Sequence, residues 1–232
     1  FIYQLKLQIR LLENRMIKAV LFDMDGVIFD TERINAKGWK KVAARYQIAL
    51  TDERIGMLRG RTADVARNLF HEWFGDEVDY DEARGARLEI LMQHLDERGT
   101  PLKPGVREIF SYLKENHIKT ALATSTQRER VEIYFEKGNL PLQFDATVCG
   151  REVKNGKPAP DVFLKAAELL GLEPGECLVI EDSYNGIRAA NAAGCQVVMV
   201  PDMDEPTEET KAVCTQTLES LYDVIRYLDE LK

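Results

Sequence analysis

Asp23 and Asp25 stand two residues apart in Asp23-Met24-Asp25-Gly26, directly after the apolar run Ile17–Phe22. Carboxylates brought this close repel unless a cation or a shared proton compensates, and Gly26 permits the tight turn that brings them together. The plainer reading of the pair is an Asx turn capping a helix. A second run, Ala121–Ala123, ends in Thr124-Ser125-Thr126. Hydroxyls and loop amides there can bind an oxyanion, or they can cap the next helix. Lys157 lies in Gly156-Lys157-Pro158-Ala159-Pro160-Asp161, where the prolines suit the first turn of a helix. A cation is unfavourable at that end of a helix, which points to a specific anionic partner. Finally, Cys177–Ile180 leads into Glu181-Asp182-Ser183-Tyr184-Asn185-Gly186. Adjacent acids at the end of a buried strand are costly without a partner. Their oxygens suit Mg²⁺, which keeps one or two carboxylates together with water and a substrate phosphate; the alternative is a helix cap with Ser183 as the capping residue.

The elements that carry these segments follow from the apolar pattern. Ile17–Phe22, Ile118–Ala123, Asp145–Cys149, Cys177–Ile180 and Gln196–Val200 read as short buried strands,. Between them the amphipathic stretches Val106–Asn116, Arg128–Lys137, Ala159–Leu170 and Tyr184–Ala193 read as helices, with Thr217–Leu231 as a closing helix. Alternation of this kind predicts an α/β fold, a doubly wound parallel sheet. Residues 31–100 break the rhythm: Arg33–Tyr46, Thr62–Phe74 and Tyr80–Arg98 read as helices with no strand among them. We expect a helical cap domain at 31–100, inserted after the first strand of a core made of 16–30 and 101–232. Such an insert sits over the carboxyl end of that strand, where open α/β sheets bind ligands. Phe1–Arg15 alternates like a strand but has helix-friendly composition, and is expected to be an extension without an assigned role.

Composition narrows the class of partner. The chain has 31 Lys and Arg against 39 Asp and Glu, a net charge of −8. Binding to nucleic acid or anionic membrane needs clustered cations, so neither is expected. Residues 101–232 hold 15 basic and 22 acidic side chains, whereas 31–100 hold 12 and 13, a contrast consistent with two units. No window reaches the roughly 18 apolar residues of a membrane span, and no signal peptide is expected. The four cysteines form no CxxC pair, which argues against zinc or a disulfide frame and for a reducing cytoplasm. His71, His94 and His117 have no evident partner in sequence and receive no role.

The ordered set DMDGVIFD at 23–30, ATS at 123–125, GKPAPD at 156–161 and EDSYNG at 181–186 resembles the haloacid dehalogenase superfamily of aspartate-nucleophile phosphotransferases. The subgroup it is most similar to is the β-phosphoglucomutase-like sugar-phosphate phosphatases with a small α-helical cap. That resemblance spans about residues 17–231. It implies Asp23 as nucleophile and Asp25 as general acid and base. It implies Thr124 and Lys157 as phosphoryl ligands, with Gly26 and Ser125 beside them. Mg²⁺ is then expected between Asp23, the backbone carbonyl of Asp25, and Asp182, with Glu181 close by. An aspartate at position 25 argues against dehalogenation. Two departures bear on substrate: Asn35 stands where the mutases carry a cap histidine, and Ala63 where they carry a phosphate-gripping arginine. Arg59 and Arg61 could replace that arginine or be solvated, and Trp39 could line the pocket.

The expected function is hydrolysis of a small phosphorylated metabolite, a sugar or polyol phosphate, by a monomeric enzyme with Mg²⁺ as cofactor. The rivals are a sugar-phosphate mutase and a non-enzymatic phosphate-binding or phospho-acceptor domain.

Overall fold

The computed structural model describes residues 16–59, 61 and 63–232; the expected extension Phe1–Arg15 lies outside them. Six strands, β1 Ala19–Phe22, β2 Lys119–Ala123, β3 Ala146–Val148, β4 Cys177–Glu181, β5 Gln196–Met199 and β6 Gln216–Thr217, form one sheet in the order β3-β2-β1-β4-β5-β6. Every adjacent pair is parallel, with Phe22 opposite Leu122 on one side and Ile180 on the other. All carboxyl ends therefore share one edge. The chain walks outward from β1 to β3, then returns to the far side of β1 for β4, so the topological switch point lies between β1 and β4.

Successive strand residues point to opposite faces, and both faces are covered. Val20, Phe22, Leu122, Leu178 and Ile180 pack with Ile109, Val131 and Val224. These last come from the helices α5 Val106–Glu115, α6 Arg128–Lys137 and α10 Leu221–Glu230. Ala19, Leu21, Ala121 and Val179 pack on the other face with Phe163, Ala166 and Ala190, from α7 Asp161–Leu170 and α8 Tyr184–Ala193. Double coverage is why the central strands are mainly apolar at successive positions, as in Ala19–Phe22 and Cys177–Ile180,.

Between β1 and α5 the chain forms α1 Glu32–Tyr46, α2 Asp52–Leu58, α3 Ala63–Phe74 and α4 Tyr80–Arg98. Trp39, Val42, Leu58, Phe70, Tyr80 and Ala83 make an apolar cluster of their own, with Trp39 and Tyr80 stacked at 6.4 Å. Leu91 and Leu95, further along α4, join the cluster on the sheet. Four elements go beyond the sequence reading: α2, a 3-10 turn at Pro174–Glu176, α9 Glu208–Val213 and β6. The closing helix also starts later than expected, at Leu221, because Gln216 and Thr217 pair with β5 as an edge strand. Among the described residues no helix is long and apolar enough to cross a membrane, and the four cysteines are unpaired.

Candidate active site

The site is assembled by three neighbouring strands. Asp23 is the first residue after β1, Thr124 the first after β2, Glu181 the last of β4 and Asp182 the first after it. Since β2 and β4 flank β1, Asp23 sits between hydroxyl and acids at the switch point, where open α/β sheets place their ligands. The turn after β1 closes through hydrogen bonds from Ile28 N–H to the Met24 carbonyl at 2.9 Å and from Gly26 N–H to the Phe29 carbonyl at 2.8 Å. Gly26 has φ +81°, and a Cβ there would lie 2.2 Å from Asp182 Oδ2. Glycine is required on both counts, because only it relieves the backbone and lets the two acidic loops touch.

Lys157 reaches in from the loop between β3 and α7. Its ammonium donates to Asp23 Oδ1 at 2.6 Å, to Glu181 Oε1 at 2.6 Å and to the Ala123 carbonyl at 3.1 Å. All three hydrogens of the charge are thereby used, 4 % exposed to solvent. Burial opposes that charge, but Asp23 and Glu181 outweigh it and hold Lys157 above its ordinary value.

Glu181 is wholly buried, and its other oxygen accepts from Asp182 N–H, Ser183 N–H and the Ser183 hydroxyl, each at 3.0 Å. A Cβ at Gly186 would fall 1.7 Å from Glu181 Oε1, so the last glycine of the fourth motif makes room for that carboxylate. Ser183 also caps α8, accepting from Gly186 N–H at 3.1 Å. Capping and site-building are here one arrangement. For Thr124-Ser125-Thr126 the capping alternative does not hold: the cap position of α6 is Gln127, without a side-chain bond. Thr124 Oγ1 accepts from Thr126 N–H at 3.0 Å, and Ser125 is exposed and lines the cleft.

Asp25 is held by two hydroxyls that sequence reading did not assign to it. Thr31 donates to Oδ1, and Thr126 donates to Oδ2 at 2.8 Å. The neighbouring Glu32 is pushed up to about 8, first by burial and then by Asp25.

Asp23, Glu181 and Asp182 present carboxylate oxygens within 4.8 Å of one another, all buried. Burial pushes Asp182 well above the usual carboxylate range, and Glu181, Asp23, Glu32 and Asp202 all push the same way. Lys157 bonds Asp23 and Glu181 but not Asp182. An all-oxygen, over-acidic cluster fits a hard divalent cation such as Mg²⁺.

Burial also raises Asp23, to about 7, against relief from Lys157. An unfolded aspartate ionises at about 4, so between about pH 4 and 7 the native state keeps a proton that the unfolded chain has lost. Stability of the cation-free protein should fall as pH rises through that window. Thermal melts in chelator from about pH 5 to 8 should show a falling midpoint that flattens in Asp23→Asn. Equal slopes in the two proteins would rule out Asp23 as the source.

These groups open into a cleft of about 680 Å³ between α1–α4 and the strand ends. Asn35, Trp39, Arg59, Arg61 and Ala63 line it, as do Arg84, Arg87, Arg130 and Tyr134, which sequence reading missed. The only signal for Arg84 and Arg87 was their spacing of three on a helix, which cannot say which way that face looks. Arg59 is paired with Asp204, Arg61 is exposed, and Asn35 accepts from Arg87. Trp39 is both a cleft wall and a member of the apolar cluster behind it. His71 does have a partner, Asp76 at 3.5 Å, on the surface.

The family model described as "Haloacid dehalogenase-like hydrolase" matches residues 20–200. A Drosophila melanogaster protein named "Probable pseudouridine-5'-phosphatase" is 37% identical over 225 residues, covering 90% of this chain and 94% of its own. The "Phosphorylated carbohydrates phosphatase" of Thermotoga maritima is 34% identical over 192 residues, covering 78% of this chain and 83% of its own. Among solved structures, CbbY from Rhodobacter sphaeroides in complex with phosphate superposes with a TM-score of 0.75 at 25% identity, covering 90% of this chain and 96% of that one.

Proposed function

This chain belongs to the haloacid dehalogenase-like hydrolase family and is an enzyme that hydrolyses phosphate esters, and from that premise we propose a Mg²⁺-dependent phosphatase of a small sugar or polyol phosphate. The observation that carries the reading is Asp23, a buried carboxylate facing the cleft, with Lys157 on one oxygen at 2.6 Å and Asp182 beside it. In the reaction Asp23 attacks phosphorus, an aspartyl-phosphate forms, and the bond to the leaving oxygen breaks as Asp25 protonates it. Asp25 then takes a proton from the water that attacks the acylphosphate, releasing inorganic phosphate and freeing Asp23. Two easier displacements replace one difficult one. Thr124 binds one transferring oxygen, Lys157 binds another by exchanging its bond to Asp23 for it as that carboxylate takes up the phosphoryl group, and the Thr31 and Thr126 hydroxyls keep Asp25 aimed.

Asp23, Asp182 and the Asp25 carbonyl would hold Mg²⁺, with Glu181 behind them, and the ion would offset the charge these carboxylates share with the phosphoryl group. Residues 31–100 act as a cap over a core of 16–30 and 101–232. Hydrolysis of p-nitrophenyl phosphate should require Mg²⁺, disappear in EDTA and return when Mg²⁺ is restored. Full turnover after exhaustive chelation would falsify the metal assignment.

Transfer to water is favoured over transfer back to sugar by the residues at positions 59 and 63. Ala63 offers no cation, and the Arg59 charge is already neutralised by Asp204. With β-glucose 1-phosphate, inorganic phosphate should appear faster than glucose 6-phosphate, with or without a bisphosphate primer. A primed coupled assay dominated by glucose 6-phosphate would establish a mutase.

A further inference from the structure

Asp202 belongs to none of the four motif segments. It lies on the loop between β5 and α9, yet its side chain holds both chain crossings that join α1–α4 to the sheet. Its Oδ1 accepts from Lys103 Nζ at 2.7 Å and from Arg33 Nη1. Arg33 is in the first turn of α1, just past the outgoing crossing, and Lys103 is on the returning one, ahead of α5. The crossings are themselves laced together. Asp30 N–H donates to the Pro101 carbonyl and Lys103 N–H to the Ile28 carbonyl, each at 2.9 Å, with Phe29 and Leu102 bridged antiparallel.

This is not an ordinary surface ion pair. The Asp202 side chain is wholly buried, and its Oδ2 has no hydrogen-bond partner. A buried carboxylate with an unsatisfied oxygen is a costly way to fasten a loop. Arg33 is ill placed on local grounds too, because the helix dipole repels a cation in the first turn; Asp30 and Asp202 offset that repulsion. The loop itself is fixed to the core on both sides of Asp182. Val200 N–H donates to the Glu181 carbonyl at 2.8 Å, and the Tyr184 hydroxyl to the Glu205 carbonyl at 2.8 Å.

What the loop pins is the start of α1. Thr31, wholly buried, occupies the N-cap position of that helix, but its hydroxyl makes no capping bond. It donates instead to Asp25 Oδ1. One short stretch of chain is thus clamped by Asp202 through Arg33 and aims Asp25 through Thr31.

We propose that Asp202 is a positioning residue for the general acid and base: with Arg33 and Lys103 it fixes the crossing that carries Thr31, and so holds Asp25 where it protonates the leaving oxygen. This rests on the role given to Asp25 in the proposed function. Asp202 touches no reacting atom. Proton transfer needs the acid within hydrogen-bond reach of the leaving oxygen, and a displacement of about 1 Å can cost about 10²-fold.

The test compares phenyl phosphate with p-nitrophenyl phosphate, esters of similar shape whose leaving oxygens differ in their need of a proton. With Mg²⁺ saturating, kcat/KM reports the steps up to release of the phenol and not the later hydrolysis of the acylphosphate. Asp202→Asn should lower it about tenfold or more on phenyl phosphate and about twofold or less on p-nitrophenyl phosphate. Arg33→Gln, which leaves the buried pair of Asp202 with Lys103 intact, should show the same split, and decides alone if Asp202→Asn does not fold. Thr31→Val should show it as well, and combining it with Arg33→Gln should add nothing further, because both act through one tether. Equal losses on the two esters, or a double variant whose loss is the product of the single ones, would overturn the positioning role. Asp25→Asn separates the two readings. If it shows no split, the acid and base assignment fails and the proposal with it; if it shows the split and the Asp202 and Arg33 variants do not, the positioning role alone fails.

Discussion

Asp23→Asn should lower turnover of p-nitrophenyl phosphate by about 10⁴-fold or more, the scale on which loss of a covalent nucleophile registers. The substitution keeps the side chain's shape but replaces an anionic oxygen with a neutral amide. It also removes the charge that Lys157 meets at 2.6 Å. No aspartyl-phosphate should then be trapped by acid quench and mass spectrometry. Asp25→Asn provides the contrast. Asp25 is tethered by Thr31 and Thr126 and is not bonded to Lys157, so its loss should cost roughly 10²–10⁴-fold, as for a general acid and base. With a good leaving group the acylphosphate should still form and then hydrolyse slowly. Wild-type turnover in Asp23→Asn would show that the nucleophile lies elsewhere.

Lys157→Met should be strongly destabilising. Its ammonium is 4 % exposed and is bonded to both Asp23 and Glu181. Removing the cation leaves Asp23, Glu181 and Asp182 within 4.8 Å of one another in a buried site. Breaking a buried ion pair from one side costs about 3–5 kcal/mol. Urea unfolding in EDTA should show a loss of that size, smaller when Mg²⁺ is present because the ion supplies part of the missing charge. A loss below about 1 kcal/mol in EDTA would mean that the carboxylates compensate without Lys157, contrary to the expected cost of a broken buried pair.

Some of this was decided by the order of residues alone. Short apolar runs alternating with amphipathic stretches specify a parallel sheet covered on both faces, because a strand buried on both sides favours apolar residues at successive positions. The chemistry-bearing segments follow directly on those runs, so a parallel sheet must gather them at one edge. That is why Asp23, Thr124, Glu181 and Asp182 can be grouped from the order of residues, and why Lys157 can be added from its unfavourable place near a helix start. Local composition also located the helical interruption, since Arg33–Tyr46 and Tyr80–Arg98 carry helix periodicity and no strand pattern.

Tertiary structure decided everything that depends on direction. Whether Thr124-Ser125-Thr126 capped a helix or faced the site turned on a cap position one residue later, at Gln127. Thr31 and Arg87 act through side chains that reach Asp25 and Asn35, and Asp204 on the loop after β5 neutralises Arg59 across 145 residues of sequence. Strand and helix periods are local properties of the backbone and are legible in a line of residues. The aim of a long side chain across a cleft, and whether it finds a counter-charge there, is fixed only when distant segments are packed together.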